Sequence, residues 1–499
     1  MSRRRRWVLI SPEYTRLWFG QALSTVGDAV FSTSLVLWVA TDLAAGRPWA
    51  PQAVSGVVLA TSLSVLVVGP LAGVFVDRWD RRRTMLGTEV LRGGLAGVLT
   101  AVSFLPADAL PIGLWLGLIY LTVASLNAVG QFFTPARMSV IADMVTGEGD
   151  RARAAGIAQA TATTAWIIGP PLAAPLLFTV GIQWALLFNA LSYVVSWFAV
   201  RSVRPDPSTE PARTRPKAER PSLVRDFVDG LQFYSGNRFL VALLLMSVIG
   251  QIGAGALSAL NVFFVTDNLH VSAQLYGYLG TATGIGGILG ALASGRVVER
   301  IGARRAAWAA LLVSGILLVV YSRQSAFLPA MALLFVVALP LTVLNSALSP
   351  LLLDAAPAEF RARVMAVFYP ATRLASMIGA VLAGWIAGTG LDGFRATLLG
   401  MRFGPIDTVL VAAGIVIVLA GVYARSALPV LDRGDGATAG PSPDRPPEAA
   451  DAVEPTEAVE VAETAGVAET VQAVGAVEVG AEAEPRAGSG RRPAPEGRP

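Results

Sequence analysis

Chemistry in this chain has to come from very few side chains. It contains no cysteine and one histidine, His270, which removes disulfides, thiolate metal sites and histidine-based triads. What remains is a small set of charged residues lodged inside long apolar runs: Asp28, Glu89, Arg92 and Arg373. Asp28 lies about 13 residues into its run, close to a bilayer midplane at about 1.5 Å rise per residue. A carboxyl at that depth suits a site that takes up a proton and surrenders it to water or a cation, coupling proton flow to the movement of something else. The other reading is static: Arg373, about 10 residues into a later run, needs a counter-charge that Asp28 can supply. Both readings stand on the sequence. Glu89 and Arg92, at i and i+3 near one end of their run, read as a local structural pair. No paired catalytic acids occur within the runs, so the chain reads as a non-enzyme without metal or cofactor. Residues 284–290, Gly-Ile-Gly-Gly-Ile-Leu-Gly, lack the Lys-Ser/Thr ending of a phosphate loop and read as a surface for close helix packing.

The elements that must position these residues are membrane helices. Of 499 residues 54% are hydrophobic and 15% charged, with a mean hydropathy of +0.58, which excludes a single water-soluble globule. Twelve runs reach the roughly 20 apolar residues that a bilayer needs: 15–40, 53–76, 84–105, 111–133, 154–178, 181–201, 238–266, 274–298, 304–321, 327–352, 363–388 and 405–427. The basic start, Arg3 to Arg6, leads into a full-length span with no cleavage site behind it, so span one is expected to be retained. Short connections on the side of the N-terminus carry about 25 Lys/Arg and those on the other side about 4, so both termini are expected in the cytoplasm. Polar residues inside spans should face a cavity or another helix. They form stripes: Gln21, Ser24, Thr25, Asp28 and Ser32 in span one; Tyr120, Asn127 and Gln131 in span four; Ser247, Gln251, Ser258 and Asn261 in span seven; Thr342, Asn345, Ser346 and Ser349 in span ten. Phe31 and Trp166 are the aromatics best placed to meet a bulky substrate.

The division of the chain follows. Residues 1–201 form one six-span half and 238–430 the other, joined by a linker, 202–237, whose 223–234 stretch has Phe227, Leu231 and Tyr234 at helical spacing and reads as a short helix along the membrane. Residues 431–499, rich in Ala, Glu, Pro and Val, hold about 14 acids against about 6 bases and are expected to be a disordered acidic tail. The body is then near +12 and the tail near −8 behind a net charge of +4.

The halves repeat. Gly73, Asp77, Arg78 and the Arg82–Arg83 pair after span two return 222 residues later as Gly295, Glu299, Arg300 and Arg304–Arg305 after span eight. Arg151-Ala152-Arg153 before span five is echoed by Arg361-Ala362-Arg363 before span eleven. Two copies of a six-helix unit are the direct reading. Asp77, an acid in a basic connection, can face a helix N-terminus and nearby arginines and so favour one packing of the halves; Arg81 to Arg83 alone would serve equally to set topology.

These residues resemble the major facilitator superfamily of secondary transporters, over about residues 10–427. Gly73, Asp77, Arg78, Arg81 and Arg82 match its signature in the connection between spans two and three, with Asp80 where many members have Gly. Trp18-Phe19-Gly20-Gln21, Gly27-Asp28 and Phe132-Phe133-Thr134-Pro135-Ala136-Arg137 are similar to the branch of enterobactin exporters and macrolide efflux pumps. Gly156, Gly169 and Pro170 resemble the antiporter motif of span five, although Ala165 and Ala173 stand where Gly is usual. The resemblance implies an all-α fold of twelve transmembrane helices in two pseudo-symmetric halves. It also implies that Asp77 latches toward Arg361 or Arg363, with Glu299 and Arg300 as the second copy. Spans one, four, seven and ten would line a central cavity that includes Gln131, Gln251, Asn261 and Asn345, with Arg373 of span eleven as a further cavity candidate. The implied function is export of amphipathic small molecules such as drugs, antibiotics or siderophores, by proton antiport, from a monomer in a bacterial plasma membrane with no nucleic-acid partner. A nutrient importer and a non-transporting receptor or tether are the rival readings.

Overall fold

The computed structural model describes residues 9–76, 78–106, 108–145, 147–203, 223–357, 360–398 and 401–428. Asp77, most of the linker before residue 223, and the tail 431–499 lie outside them. Among the described residues, twelve helices are long and apolar enough to cross a membrane. In the first half these are α1 (Pro12–Trp38), α2 (Ala50–Val76), α3 (Arg81–Val102), α4 (Ile112–Met144), α5 (Glu148–Pro175) and α6 (Ile182–Ser202). After the short helix α7 (Leu223–Gly236) come α8 (Arg238–Phe263), α9 (Tyr276–Ile301), α10 (Ala303–Ser322), α11 (Phe327–Asp354), α12 (Arg361–Trp385) and α13 (Pro405–Ala427).

Local chemistry sets the helix starts. Ser11 caps α1, accepting from the Tyr14 amide at 3.1 Å, with Pro12 in the first turn where its missing N–H costs nothing. Asp80 caps α3 through the Arg83 amide at 2.7 Å, so the acid that stands in place of a glycine has a helix-capping task. Asn237 caps α8. Two spans are longer than their apolar runs: α4 continues through Pro135 and Arg137 to Met144, and α5 opens at Glu148, taking in Arg151 and Arg153. Polar turns at the membrane surface extend a helix without adding to its apolar signal.

Packing within the halves repeats helix for helix. In the first half α6 lies against α1 and α3, α4 against α2 and α3, and α5 against α1. In the second, α13 lies against α8 and α10, α11 against α9 and α10, and α12 against α8. The same correspondence relates the two main junctions between halves, α2 with α12 and α9 with α5. Four spans that correspond in pairs, α1 with α8 and α5 with α12, each end in a π-helical turn: Val39–Leu43, Phe264–Asn268, Leu176–Val180 and Ile386–Gly390. The wide turn is closed by bonds such as Ala44 N to Val39 O at 2.9 Å and Leu391 N to Ile386 O at 2.8 Å.

These turns lie on the face opposite the chain termini, and there the halves meet. Ser55 near the start of α2 donates to the Ala380 carbonyl of α12 at 2.8 Å, and Gln52 bonds Thr389. Thr281 of α9 donates to the Ile167 carbonyl of α5 at 2.8 Å. Glycines allow this approach: a Cβ at Gly384 would lie 2.7 Å from the Pro51 carbonyl oxygen, and one at Gly277 would lie 2.3 Å from that of Pro170. Gly284, Gly286 and Gly290 are likewise packed, against Ile167, Phe335 and Leu339, so the glycine-rich stretch is a packing surface. Toward the termini, by contrast, a Cβ at Gly156 of α5 or Gly295 of α9 would meet nothing within 4 Å.

One element was not anticipated. The connection between α12 and α13 carries a small antiparallel hairpin, β1 (Ala396–Leu398) with β2 (Met401–Phe403). Arg323 holds it down, bonding the Arg402 carbonyl at 2.7 Å, lying 4.2 Å over the Phe403 ring and pairing with Asp407 at 2.5 Å.

Candidate functional site

Inside the first half, α1, α3 and α6 build a polar cluster in two layers, one helical turn apart on α3 and α6 and two turns apart on α1. Spacing does this: Gln21 and Asp28 are seven residues apart on α1, Glu89 and Arg92 three apart on α3, and Tyr193 and Ser196 three apart on α6, so each pair shares a helix face. Small residues bring the helices close enough, with Gly20 against Ala199 and Ser196, and Gly27 against Ser192 and Asn189. In one layer Arg92 Nη2 reaches Asp28 Oδ2 at 2.9 Å and the Tyr193 hydroxyl donates to Asp28 Oδ1 at 2.5 Å. The Arg92 guanidinium also lies 4.3 Å over the Tyr193 ring. In the other layer the Gln21 amide donates to Ser196 Oγ at 2.7 Å, and Ser196 donates to Glu89 Oε1 at 2.5 Å.

The Asp28 ion-pair partner is therefore Arg92, within the same half, rather than Arg373. Arg373 lies half-buried on α12. The local Glu89–Arg92 pair is also replaced, since Arg92 bonds across to α1 and Glu89 bonds across to α6. The side chains of Asp28 and Arg92 are 39% and 13% exposed, whereas Glu89 is 1% exposed. Arg137 of α4 completes the cluster electrostatically, facing Glu89, Arg92 and Tyr14. Sequence reasoning missed Tyr193 and Ser196 and gave Arg137 no role. The available signal was the rule that each buried charge needs a partner.

The span-one stripe is thus turned into its own half: Gln21 and Ser24 are buried, and Asp28 points to α3 and α6. Phe31 is buried in the main apolar core, which takes it out of the set of exposed contact residues, while Ser32 and Trp166 are half-buried. On the other stripes Asn127, Gln131 and Asn345 turn their amides back on the carbonyls of Val123, Asn127 and Leu341. Each remains half-buried, as does Gln251, and Asn261 accepts from the Tyr321 hydroxyl of α10.

At the termini face the repeated residues have separate tasks. Arg81 pairs with Asp143 at 2.7 Å, Arg82 donates to the Arg201 carbonyl at 2.7 Å, and Gly73 falls in the last turn of α2. Arg78 is exposed and lines, with Trp79, Arg83 and Phe132, a cavity of about 630 Å³ beside α3 and α4. Glu299 and Arg300 are exposed at the end of α9. Arg151 and Arg361, equivalent in the repeat, each aim Nε at a carbonyl just upstream, Val145 at 3.0 Å and Ala356 at 3.4 Å. Arg363 lies 5.3 Å over Phe360, whose ring stacks on Phe233 of α7 at 4.6 Å, and a Cβ at Gly230 of α7 would lie 2.7 Å from the Arg363 carbonyl oxygen. The linker helix is therefore packed on the start of α12, and its Tyr234 hydroxyl is held protonated by burial well beyond the usual range. In α5, a Cβ at Gly169 would lie 2.5 Å from Ala29 Cβ, and Pro170 abuts Gly277, so this part of the antiporter-like motif sits at the junction of α1, α5 and α9.

Comparison with known proteins adds names to this architecture. The chain is 24% identical over 249 residues to macrolide efflux protein A of Streptococcus pyogenes, covering 50% of this chain and 57% of that one. It is 26% identical over 406 residues to the multidrug efflux pump Tap of Mycobacterium bovis, covering 79% and 91%. The chain spans only about half the length of several of the curated relatives it matches. A solved structure of a bacterial homologue of the iron transporter ferroportin, in its inward-facing state, superposes with a TM-score of 0.62 at 13% identity, covering 83% of this chain and 98% of that one. The sequence profile described as Major Facilitator Superfamily matches residues 17–262 and 243–471. With its repeated six-helix halves and this match, the chain belongs to the Major Facilitator Superfamily.

Proposed function

We propose that this protein exports amphipathic small molecules of the antibiotic type from a bacterial cell in exchange for protons, working as a monomer by alternating access. The observation that carries the proposal is the packing asymmetry: symmetry-related junctions, α2 with α12 and α5 with α9, close one face, while glycines on the termini side of α5 and α9 stand in open space. The basic connections lie on the open side, which makes it the cytoplasmic face of the plasma membrane and the state inward-open. The closed face would reopen by rocking the halves about a midplane site.

The half-buried polar groups Asn127, Gln131, Gln251, Asn261 and Asn345, with Ser32, Trp166 and Arg373, supply the surface for a largely uncharged amphipathic molecule. The Asp28–Arg92 pair sits beside it within the first half and couples protonation to helix position. Asp77 with Arg78, and Glu299 with Arg300, form the latch that Arg361 and Arg363 meet when the inward face closes. The efflux names carried by the similar proteins favour export over uptake. Deletion and overexpression strains tested across macrolides, peptide antibiotics and siderophores decide the matter: overexpression should raise resistance and lower retained compound. Increased retention with overexpression would instead mark an importer.

A further inference from the structure

We propose that Glu89 is the group that carries the exchanged proton, and that Arg92 passes between the Asp28 and Glu89 carboxylates as that proton leaves and returns. This rests on the proton-coupled export proposed above, and it moves the proton from the acid nearest the midplane to its neighbour on α3.

The two carboxyls are dressed differently. Asp28 accepts from Arg92 and from Tyr193 on separate oxygens and is 39% exposed, the surroundings of a carboxylate. Glu89 is 1% exposed; its Oε1 accepts from Ser196, and its Oε2 has no hydrogen-bond partner among the described residues, with the Gln21 amide nearby. An ionised carboxylate offers about four acceptor sites, whereas the acid form needs fewer. A proton on Oε2 fits this pocket.

The groups that face Glu89 also give the proton a way to leave. They are Arg92 on its own helix, Asp28 and Gln21 on α1, Tyr193 and Ser196 on α6, and Arg137 on α4. When the Glu89 O–H bond breaks and the proton passes to water, the carboxylate left behind lies within one turn of Arg92. Arg92 Nε has no partner, and the guanidinium rests on the Tyr193 ring, so a rotamer change slides it from Asp28 to Glu89 without unwinding α3. Arg137, whose Nε also lacks a partner, gains the same anion, which draws α4 toward α3. Proton release is thereby felt on a helix that carries Asn127 and Gln131. Reprotonation of Glu89 returns Arg92 to Asp28.

The test uses the full-length protein in liposomes. Infrared difference spectra across a pH titration should show a carboxylic acid carbonyl band that is absent in Glu89→Gln and present in Asp28→Asn. A band that survives in Glu89→Gln and vanishes in Asp28→Asn overturns the inference. If Glu89→Gln does not fold, wild-type protein treated with dicyclohexylcarbodiimide and mapped by peptide mass spectrometry gives the answer: the adduct should be on Glu89, and an adduct on Asp28 alone, or on neither, overturns it. Transport separates the two levels. If wild type accumulates neither erythromycin nor any compound to which its overexpression confers resistance under a pH gradient, the antiport reading fails whichever acid titrates. If wild type shows such accumulation and folded Glu89→Gln retains it, only the assignment to Glu89 fails.

Discussion

Adding one methyl group at Gly384 should tilt the protein toward its outward-open state. Gly384 lies where α12 crosses the first turns of α2, and an alanine Cβ there would fall 2.0 Å from Ser55 Oγ and 2.7 Å from the Pro51 carbonyl oxygen. The Ser55 hydroxyl can rotate away only by giving up its 2.8 Å bond to Ala380, and the Pro51 carbonyl cannot move without its helix. Overpacking of this kind costs about 1–3 kcal/mol. The contact exists only while this face is closed, so the cost falls on that state alone and shifts the ratio of the two states by a factor of about 5–150. The absence of native cysteine makes the measurement clean: Ala155→Cys with Arg296→Cys places spin labels at exposed positions toward the termini ends of α5 and α9. Electron–electron distance measurements should show a shorter population appear when Gly384→Ala is added. A folded variant with the unaltered distance distribution would refute the claim that the α2–α12 junction closes this face.

Three further outcomes are expected. Arg323→Ala should lower stability by about 3 kcal/mol, the lower end for breaking a buried pair, because Asp407 is only 3% exposed and pairs with Arg323; thermal unfolding in detergent checks this, and an unchanged midpoint would mean the pair contributes nothing. Asp77→Asn should reduce transport of the compounds to which wild-type overexpression confers resistance while expression and membrane insertion persist, and transport at the wild-type rate would remove the latch. Truncation after residue 431 should leave resistance largely intact in a plate assay, since the sequence of the acidic tail holds no run of about 20 apolar residues; loss of function would favour a tether whose effector is the tail.

Much of the architecture was legible because a bilayer imposes a length. Runs of about 20 apolar residues gave all twelve spans, and the Asp77/Glu299 repeat showed the two halves. The apolar run of span four ends at 133 while α4 continues through Pro135 and Arg137 to Met144, because turns at the membrane surface extend a helix without extending its apolar signal. Asp28 was legible from depth alone. Its partner was not, because the pairing with Arg92 depends on α6 being drawn against α1 through Gly20 and Gly27 and packing in turn on α3, tertiary contacts with no short-range signature. The i,i+3 spacing of Glu89 and Arg92 suggested a local pair for the same reason: adjacency on one helix is visible in sequence, and competing partners on neighbouring helices are not. Phe31, three residues after Asp28, packs into the core, a neighbourhood that its spacing alone does not reveal.

In proton-driven exchange of an amphipathic molecule, the sign of a pH gradient sets the direction of transport. Purified protein in liposomes, measured against protein-free vesicles of the same lipid, should accumulate radiolabelled erythromycin when the lumen is acidic and the exterior alkaline, and the gain should collapse when nigericin dissipates the gradient. Accumulation driven instead by an acidic exterior, or transport indifferent to the gradient, would rule out proton antiport.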